Sequence, residues 1–317
     1  MGLTGSVERP QVMLLKDGID IGQRLAEHLV SVEYIDAIDN EVDGLVLTFS
    51  KMFLAPKSGD KLTVSIGFGA ILDHIGEFYV SGWTERPHDG IMMVRLTPVD
   101  FSKALKERRT DGYDNVTLDK LLGIIAKRHT LLVKNELNDV AYTYKAQTNE
   151  SDLRFLHRLA QEHYATFAIK NGTIIFKPKS LNEDRTSLPQ VFVSVSDISD
   201  LSIEYQDKTH YVSGIAKFRD HSTNKTISVQ EGEGKPQLII EGSFKNIAEA
   251  KARLQAALNK ENSGRVHGYF VATTQAVIAG AILTIQLEDR VESDLQITEV
   301  RHTIDHNGYT KDVTFSR

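Results

Sequence analysis

Apolar and polar residues alternate through much of the first hundred positions. Leu62, Val64 and Ile66 alternate with Thr63 and Ser65, the period of a strand with one buried face. Gln11–Leu15, Leu45–Phe49, Phe78–Trp83 and Ile91–Leu96 read as further strands, punctuated by Pro56, Gly59, Gly76, Pro87 and Gly90. From about Thr110 the period changes. Leu118, Leu121, Leu122 and Ile125 fall at i, i+3, i+4 and i+7, one face of a helix. Leu131–Val133 and Ala141–Tyr144 read as strands. Asn149 is the expected cap of a second helix, with Glu150 and Asp152 in its first turn and Arg154 and Arg158 further along. Leu153, Leu156, Ala160 and His163 form that helix's expected apolar face. Asn171-Gly172 then joins Thr166–Lys170 to Thr173–Lys177 as a tight hairpin.

Ser180–Gln190 is polar, contains Pro189 and reads as a linker. Beyond it the alternation returns, with Leu201, Ile203 and Tyr205 set against Ser202 and Glu204. Asn246-Ile247-Ala248-Glu249 resembles a capping box. It opens one helix to about Lys260, with Ile247, Ala250, Leu254 and Leu258 on one face, and Asn262-Ser263-Gly264 ends it. The expected fold is α+β, mainly β. Residues 1–106 form a first β-domain, 107–180 an α+β module, and 181–317 a linker and second β-domain with one helix.

The two β segments resemble each other. Gly59-Asp60-Lys61-Leu62-Thr63-Val64-Ser65-Ile66 reappears 221 positions later as Gly280-Ala281-Ile282-Leu283-Thr284-Ile285-Gln286-Leu287. Glu77-Phe78-Tyr79-Val80-Ser81 matches Asp294-Leu295-Gln296-Ile297-Thr298 at 217, and Asp89-Gly90 matches Asn307-Gly308 at 218. The recurring elements are two strands and then a hairpin turn expected to be of the primed type. Short β-patterns recur by chance, but here order and spacing agree as well as residue type. Two copies of a small β-unit point to assembly: a trimer of such a chain presents six similar units, a pseudo-sixfold ring.

The length of 317 residues favours two or three domains. Hydrophobic content of 41% and charged content of 25% are those of an ordinary globular protein. A net charge of −6 argues against a protein that grips nucleic acid along its backbone. It is compatible with a channel that nucleic acid passes through, because like charges repel. The absence of cysteine excludes disulfides, thiol nucleophiles and cysteine-based zinc sites. Met1–Pro10 lacks the signal-peptide pattern, and the longest apolar run, Val277–Leu283, is far too short to span a bilayer, so no membrane insertion by a helix is expected.

No catalytic, cofactor-binding or metal-binding constellation emerges, and no cofactor is expected. Gly67-Phe68-Gly69 lacks the third glycine of a dinucleotide fingerprint and reads as a loop at a strand end. Glu231-Gly232-Glu233-Gly234-Lys235-Pro236 sets acids beside its glycine-lysine pair and reads as a mobile acidic loop. His302 and His306 lie on a strand and its turn, where i and i+4 are roughly 13 Å apart, too far to share a metal. His157 and His163 fall on different faces of the second helix, as surface and packing residues. Asp36, Asp39, Glu41 and Asp43 form a charge run without the central glycine of a calcium loop, and read as a solvated loop. No Gly-x-Ser-x-Gly elbow is present. Trp83, the sole tryptophan, reads as a core or interface anchor.

Several stretches together resemble the phage late control gene D protein family, the hub proteins of contractile tails. Pro98-Val99-Asp100-Phe101-Ser102-Lys103-Ala104-Leu105-Lys106 is similar to the segment that leaves the family's first β-domain. Thr117–Ala126 is similar to its first module helix. Gln147, Glu150-Ser151-Asp152-Leu153, Phe155-Leu156, Arg158-Leu159-Ala160, Phe167, Gly172 and Phe176 match its most specific string. Ala279-Gly280, Val300-Arg301-His302 and Asn307-Gly308-Tyr309-Thr310 resemble its closing β-unit. The chain departs from the pattern at His163-Tyr164-Ala165, where glycine-alanine is usual, and its first forty residues match only loosely.

The resemblance implies two tube-like antiparallel β-barrel domains per subunit, flanking the α+β module, in a homotrimer whose ring adapts a hexameric tail tube protein to a trimeric tail spike protein. It implies a place in the virion's tail baseplate after assembly in the host cytoplasm. A lumen would carry DNA and a tape measure protein, and no enzyme activity is implied. Interface geometry is what the family supplies, without residues that transfer singly. The hub portion of a type VI secretion spike is the alternative within this class. Such chains usually continue into their own spike, whereas this one stops at Arg317, so a separate spike is expected. A tail-borne cell-wall hydrolase, or a binding module using Tyr142, Tyr144 and Tyr164, are the alternatives from other classes.

Overall fold

A computed structural model of the chain describes residues 10–38, 44–50, 56–68, 71–98, 107–137, 140–170, 172–178, 188–220, 225–242, 244, 246–273 and 275–317. Asp39, Glu41, Asp43, Gly69, Val99–Lys106, Asn171 and most of the expected linker lie outside the described residues.

The first β-unit comprises β1 (Pro10–Lys16), β2 (Ile19–Asp20), a helical turn α1 (Gly22–Leu25), β3 (Leu29–Ala37), β4 (Gly44–Phe49), β5 (Lys61–Phe68), β6 (Ile71–Arg86) and β7 (Ile91–Thr97). The expected alternation is visible in β5, which buries Leu62, Val64 and Ile66 and turns Thr63 and Ser65 outward. The same period along β3, β4, β6 and β7 brings Tyr34, Leu47, Phe78 and Val94 into one apolar core.

The middle module holds β8 (Arg108–Thr117), α2 (Leu118–Arg128), β9 (Leu132–Asn135), β10 (Ala141–Ser151), α3 (Asp152–Glu162), β11 (Ala165–Lys170) and β12 (Thr173–Pro178). Leu118, Leu121, Leu122 and Ile125 of α2 enter its core with Phe155, Leu156, Leu159 and Ala160 of α3. The cap of α3 differs from expectation. Strand β10 continues through Ser151, so the helix starts later, and the Ser151 side chain accepts from the Arg154 N–H at 3.2 Å. Asn149 instead takes a left-handed φ of 49° at a bulge in β10, and Glu150 is a strand residue.

The last segment contains β13 (Gln190–Ser194), β14 (Ser199–Tyr205), β15 (Ser213–Asp220), β16 (Lys225–Gly232), β17 (Gln237–Glu241), α4 (Ile247–Asn262), β18 (Val266–Ala272), β19 (Ile282–Gln286), β20 (Val291–Asp305) and β21 (Gly308–Ser316). The expected helix is α4, and the Asn246 side chain accepts from the Glu249 N–H at 2.8 Å. Among the described residues its buried face lies in a core separate from those of the large sheet. The helix covers a small separate sheet, ordered β16-β15-β17, with Ala216, Phe218, Ala250, Leu254 and Leu258 as its core. Strands β13, β14 and β18–β21 form the second β-unit, around Phe270, Leu283, Ile285, Ile297 and Phe315.

The two β-units are one continuous thirteen-stranded sheet with two cores, because β3 of the first pairs antiparallel with β20 of the second.

Candidate functional site

The feature that organises the molecule is the duplication. The first unit runs β3-β4-β7-β6-β5-β1 across its sheet, and the second runs β14-β18-β21-β20-β19-β13. These are the same six-strand order. The one change of direction is at the end: β1 lies antiparallel to β5, whereas β13 lies parallel to β19.

The backbone repeats in detail. Gly59 and Gly280 both have positive φ, 84° and 89°, a conformation that glycine adopts without strain. Gly59 N–H donates to the Val80 carbonyl at 2.9 Å, and Val80 N–H returns a bond to Asp60 at 2.9 Å. Gly280 N–H donates to Ile297 at 2.8 Å, and Ile297 N–H returns to Ala281 at 2.9 Å. Immediately afterwards both units bulge, at Ser81 opposite β7 and at Thr298 opposite β21. Each bulged hydroxyl donates across the bulge, to the Arg95 and Thr314 carbonyls, both at 3.1 Å. A bulge re-aims its strand, so both copies bend at the same point.

The third matched element differs. Pro87–Gly90 makes a four-residue connection between paired Arg86 and Ile91, while His306-Asn307 makes a two-residue one between Asp305 and Gly308. Neither is a primed turn, since positive φ falls only on Gly90 and Gly308, the last residues of the matched stretches. The Asp305 carboxylate shapes the second turn by accepting from Asn307 N–H at 2.7 Å.

The join between the units is polar where it is buried. Asp36, expected in a solvated loop, lies in β3 and is only 8% exposed. One carboxylate oxygen accepts from the Lys170 ammonium at 2.7 Å, and the other from the Ala279 N–H at 2.8 Å. It thereby ties the first β-unit to the middle module and to the loop that opens the second repeat. Tyr34 and His302 stand directly opposite across β3 and β20, ring centres 5.3 Å apart. His302 Nδ1 also bonds the Tyr309 hydroxyl at 2.6 Å. Burial, with help from the Lys311 charge, pushes His302 down to about 4, so it is neutral near pH 7.

A second clasp joins the α4 unit to the module. Glu162, at the end of α3, meets Lys145, Arg158 and Arg253, the last from α4. Burial raises its carboxyl, but Lys145 and Arg253 outweigh that and hold it below the usual carboxylate range. Within the module, Asp152 is buried and accepts from Gln147 at 2.8 Å and Arg128 at 3.2 Å, and pairs with His129. Its own burial penalty is likewise overcome by the Gln147 and His129 bonds and the Arg128 charge. The most specific string of the sequence resemblance therefore contains an internal scaffold, in which Gln147 and Asp152 hold each other.

The other residues singled out do not converge. His157 bonds Gln161 on α3, His163 bonds the Tyr142 hydroxyl at 2.6 Å, and His306 sits in its turn, apart from His302. Tyr144 is exposed, away from Tyr142. Gly67 and Phe68 end β5, and Glu231 and Gly232 complete β16. Trp83 lies on β6 and is 38% exposed, outside both cores. Among the described residues no group of three or more His, Asp or Glu could hold a metal, and no helix is long and apolar enough to cross a membrane.

Comparison with known proteins gives the chain a family and a fold. The family model of the phage tail baseplate hub matches residues 45–308. A probable baseplate hub protein of Escherichia phage 186 is 28% identical over 223 residues, covering 68% of this chain and 57% of that protein. The match thus spans little more than half of the curated relative's length. In fold, the chain is similar to the 43 kDa tail protein of prophage MuSo2 from Shewanella oneidensis, with a TM-score of 0.67 at 13% identity over 97% of this chain and 98% of that one. It is also similar to the E. coli c3393 protein, a component of the type VI secretion system, with a TM-score of 0.58 at 16% identity over 91% and 73% of the two chains. With its doubled six-strand sheet and a family match across most of its length, the chain belongs to the phage tail baseplate hub family.

Proposed function

We propose that this protein is the structural hub of a contractile phage or prophage-derived tail. It works as a homotrimer whose six β-units line a pseudo-sixfold ring, adapting a hexameric tube protein above to a trimeric spike below. The observation that carries this reading is the identical strand order in the two units, with the same glycine entry and the same bulge. One chain then offers a sixfold partner two near-equivalent surfaces, while three chains keep true threefold symmetry for the spike. DNA and a tape measure protein would pass through the lumen, and the role asks for no catalysis. The particle is assembled in the host cytoplasm, and the protein remains in its baseplate.

Deletion of the gene from its phage or prophage tests this. The expected result is loss of complete tails in negative-stain micrographs, restored by the full chain supplied in trans. Complete, contractile tails formed without it would refute the reading.

A further inference from the structure

The pairing of β3 with β20 is a contact between a first unit and a second unit. If the units repeat around a ring, the next contact is between a second unit and the first unit of another copy. The counterparts of β3 and β20 in that contact are β14 and β6, and among the described residues each has an edge without a partner strand. Among the described residues, strand β14 ends the large sheet and pairs only with β18. Strand β6 pairs with β5 only as far as Tyr79, which leaves Gly82–Arg86 without a strand on that side among the described residues.

The repeat also sets the register. Val80 and Ile297 are equivalent through their glycine bonds, so Trp83 corresponds to Val300 and Thr84 to Arg301. Leu96 and Phe315 are equivalent through the bulges, which carries Leu45 onto Gly268 and Tyr34 onto Ile203. Within the chain Val300 faces Asp36 and Arg301 faces Ile35. In the next contact Trp83 then faces Tyr205, and Thr84 faces Glu204.

Burial marks these positions as incomplete. Val300, beside Asp36 of β3 and in the core of the second unit, is 0% exposed, but Trp83 is 38% exposed. Asp36 is 8% exposed, but its counterpart Tyr205 is 52% exposed. Two exposed aromatic residues thus fall opposite each other, a favourable cross-strand pair. Glu204 falls diagonal to Arg86, within reach of an opposite charge. An uncovered strand edge is a liability that a partner strand removes.

We propose that β14 of one copy pairs antiparallel with residues 82–86 of β6 in the next, with Tyr205 opposite Trp83 and Glu204 opposite Thr84. This rests on the ring reading above and states which edges meet and in what register. The contact is heterologous, so it closes only as a ring.

The chain has no cysteine, which makes a crosslink test clean. Directly opposite residues in an antiparallel pair lie within disulfide range, whereas diagonal neighbours are too far apart. The full chain carrying Thr84→Cys and Glu204→Cys is oxidised and run on a non-reducing gel, with Thr84→Cys plus Ser202→Cys as the register control. Each variant is first checked for native circular dichroism. A covalent trimer from the first pair, and none from the control, is expected. Particles that are trimeric by native mass spectrometry but crosslink at 84/202, or not at all, overturn the pairing and leave the hub reading intact. Chains that stay monomeric with tube and spike proteins present overturn both.

Discussion

Ser81 and Thr298 lie 217 positions apart and do the same thing: each sits in a bulge and donates its hydroxyl to the carbonyl across the sheet at 3.1 Å. The equivalence is of backbone geometry as well as residue type. It predicts matched costs. Ser81→Ala and Thr298→Val should each lose about 0.5–1 kcal/mol, the worth of a solvent-accessible hydrogen bond. Urea unfolding should show both midpoints falling with unchanged slope. A cost above about 2 kcal/mol at only one site would mean that the two bulges are not equivalent.

The paired glycines make a sharper prediction. Gly59 and Gly280 hold positive φ before the same strand, where a Cβ is strained by about 1–2 kcal/mol. Alanine at either position should destabilise by about that amount, measured by thermal or urea unfolding.

Asp36 joins three parts of the chain through Lys170 and the Ala279 N–H. Replacing it with alanine leaves a partly buried ammonium and a backbone donor without this acceptor. The expected loss is about 2–3 kcal/mol. Hydrogen exchange at the Ala279 amide should speed up more than exchange in β11, which a general loosening would not produce.

Acid should weaken the fold in a defined window. His163 and His302 are both held down to about 4, chiefly by burial. Their ordinary value is near 6.5, so below that the unfolded chain binds protons that the native chain refuses. Stability from these groups is present above pH 6.5 and is lost as pH falls toward 4, by up to about 3 kcal/mol each. The lowered carboxyls of Asp152 and Glu162 act in the same direction at the acid end. Melting temperature against pH should therefore drop between 6.5 and 4, and His302→Phe should flatten that drop.

What was legible in the sequence was local. The spacing of Leu118, Leu121, Leu122 and Ile125 foretold α2 and its buried face, and Asn246 foretold the start of α4. The repeat was legible because Gly59 and Gly280 are needed for their φ. The junction of β3 with β20 was not, since no local period records which distant strand will lie alongside. Asp36 looked like part of a solvated acidic run for the same reason: its partners, Lys170 and Ala279, are 134 and 243 positions away. The small β15–β17 sheet was not foreseen, and its strand β16 alternates only between half-buried and exposed positions, a weak signal. Asn149 was the expected cap of α3, but strand β10 runs on to Ser151, which caps the helix instead.

The most direct test of the account is electron microscopy of the purified protein, alone and with spike protein, with class averages computed without imposed symmetry. A ring with a central hole, a sixfold-looking rim and true threefold order is the predicted result. Compact single-chain particles in both samples would contradict it.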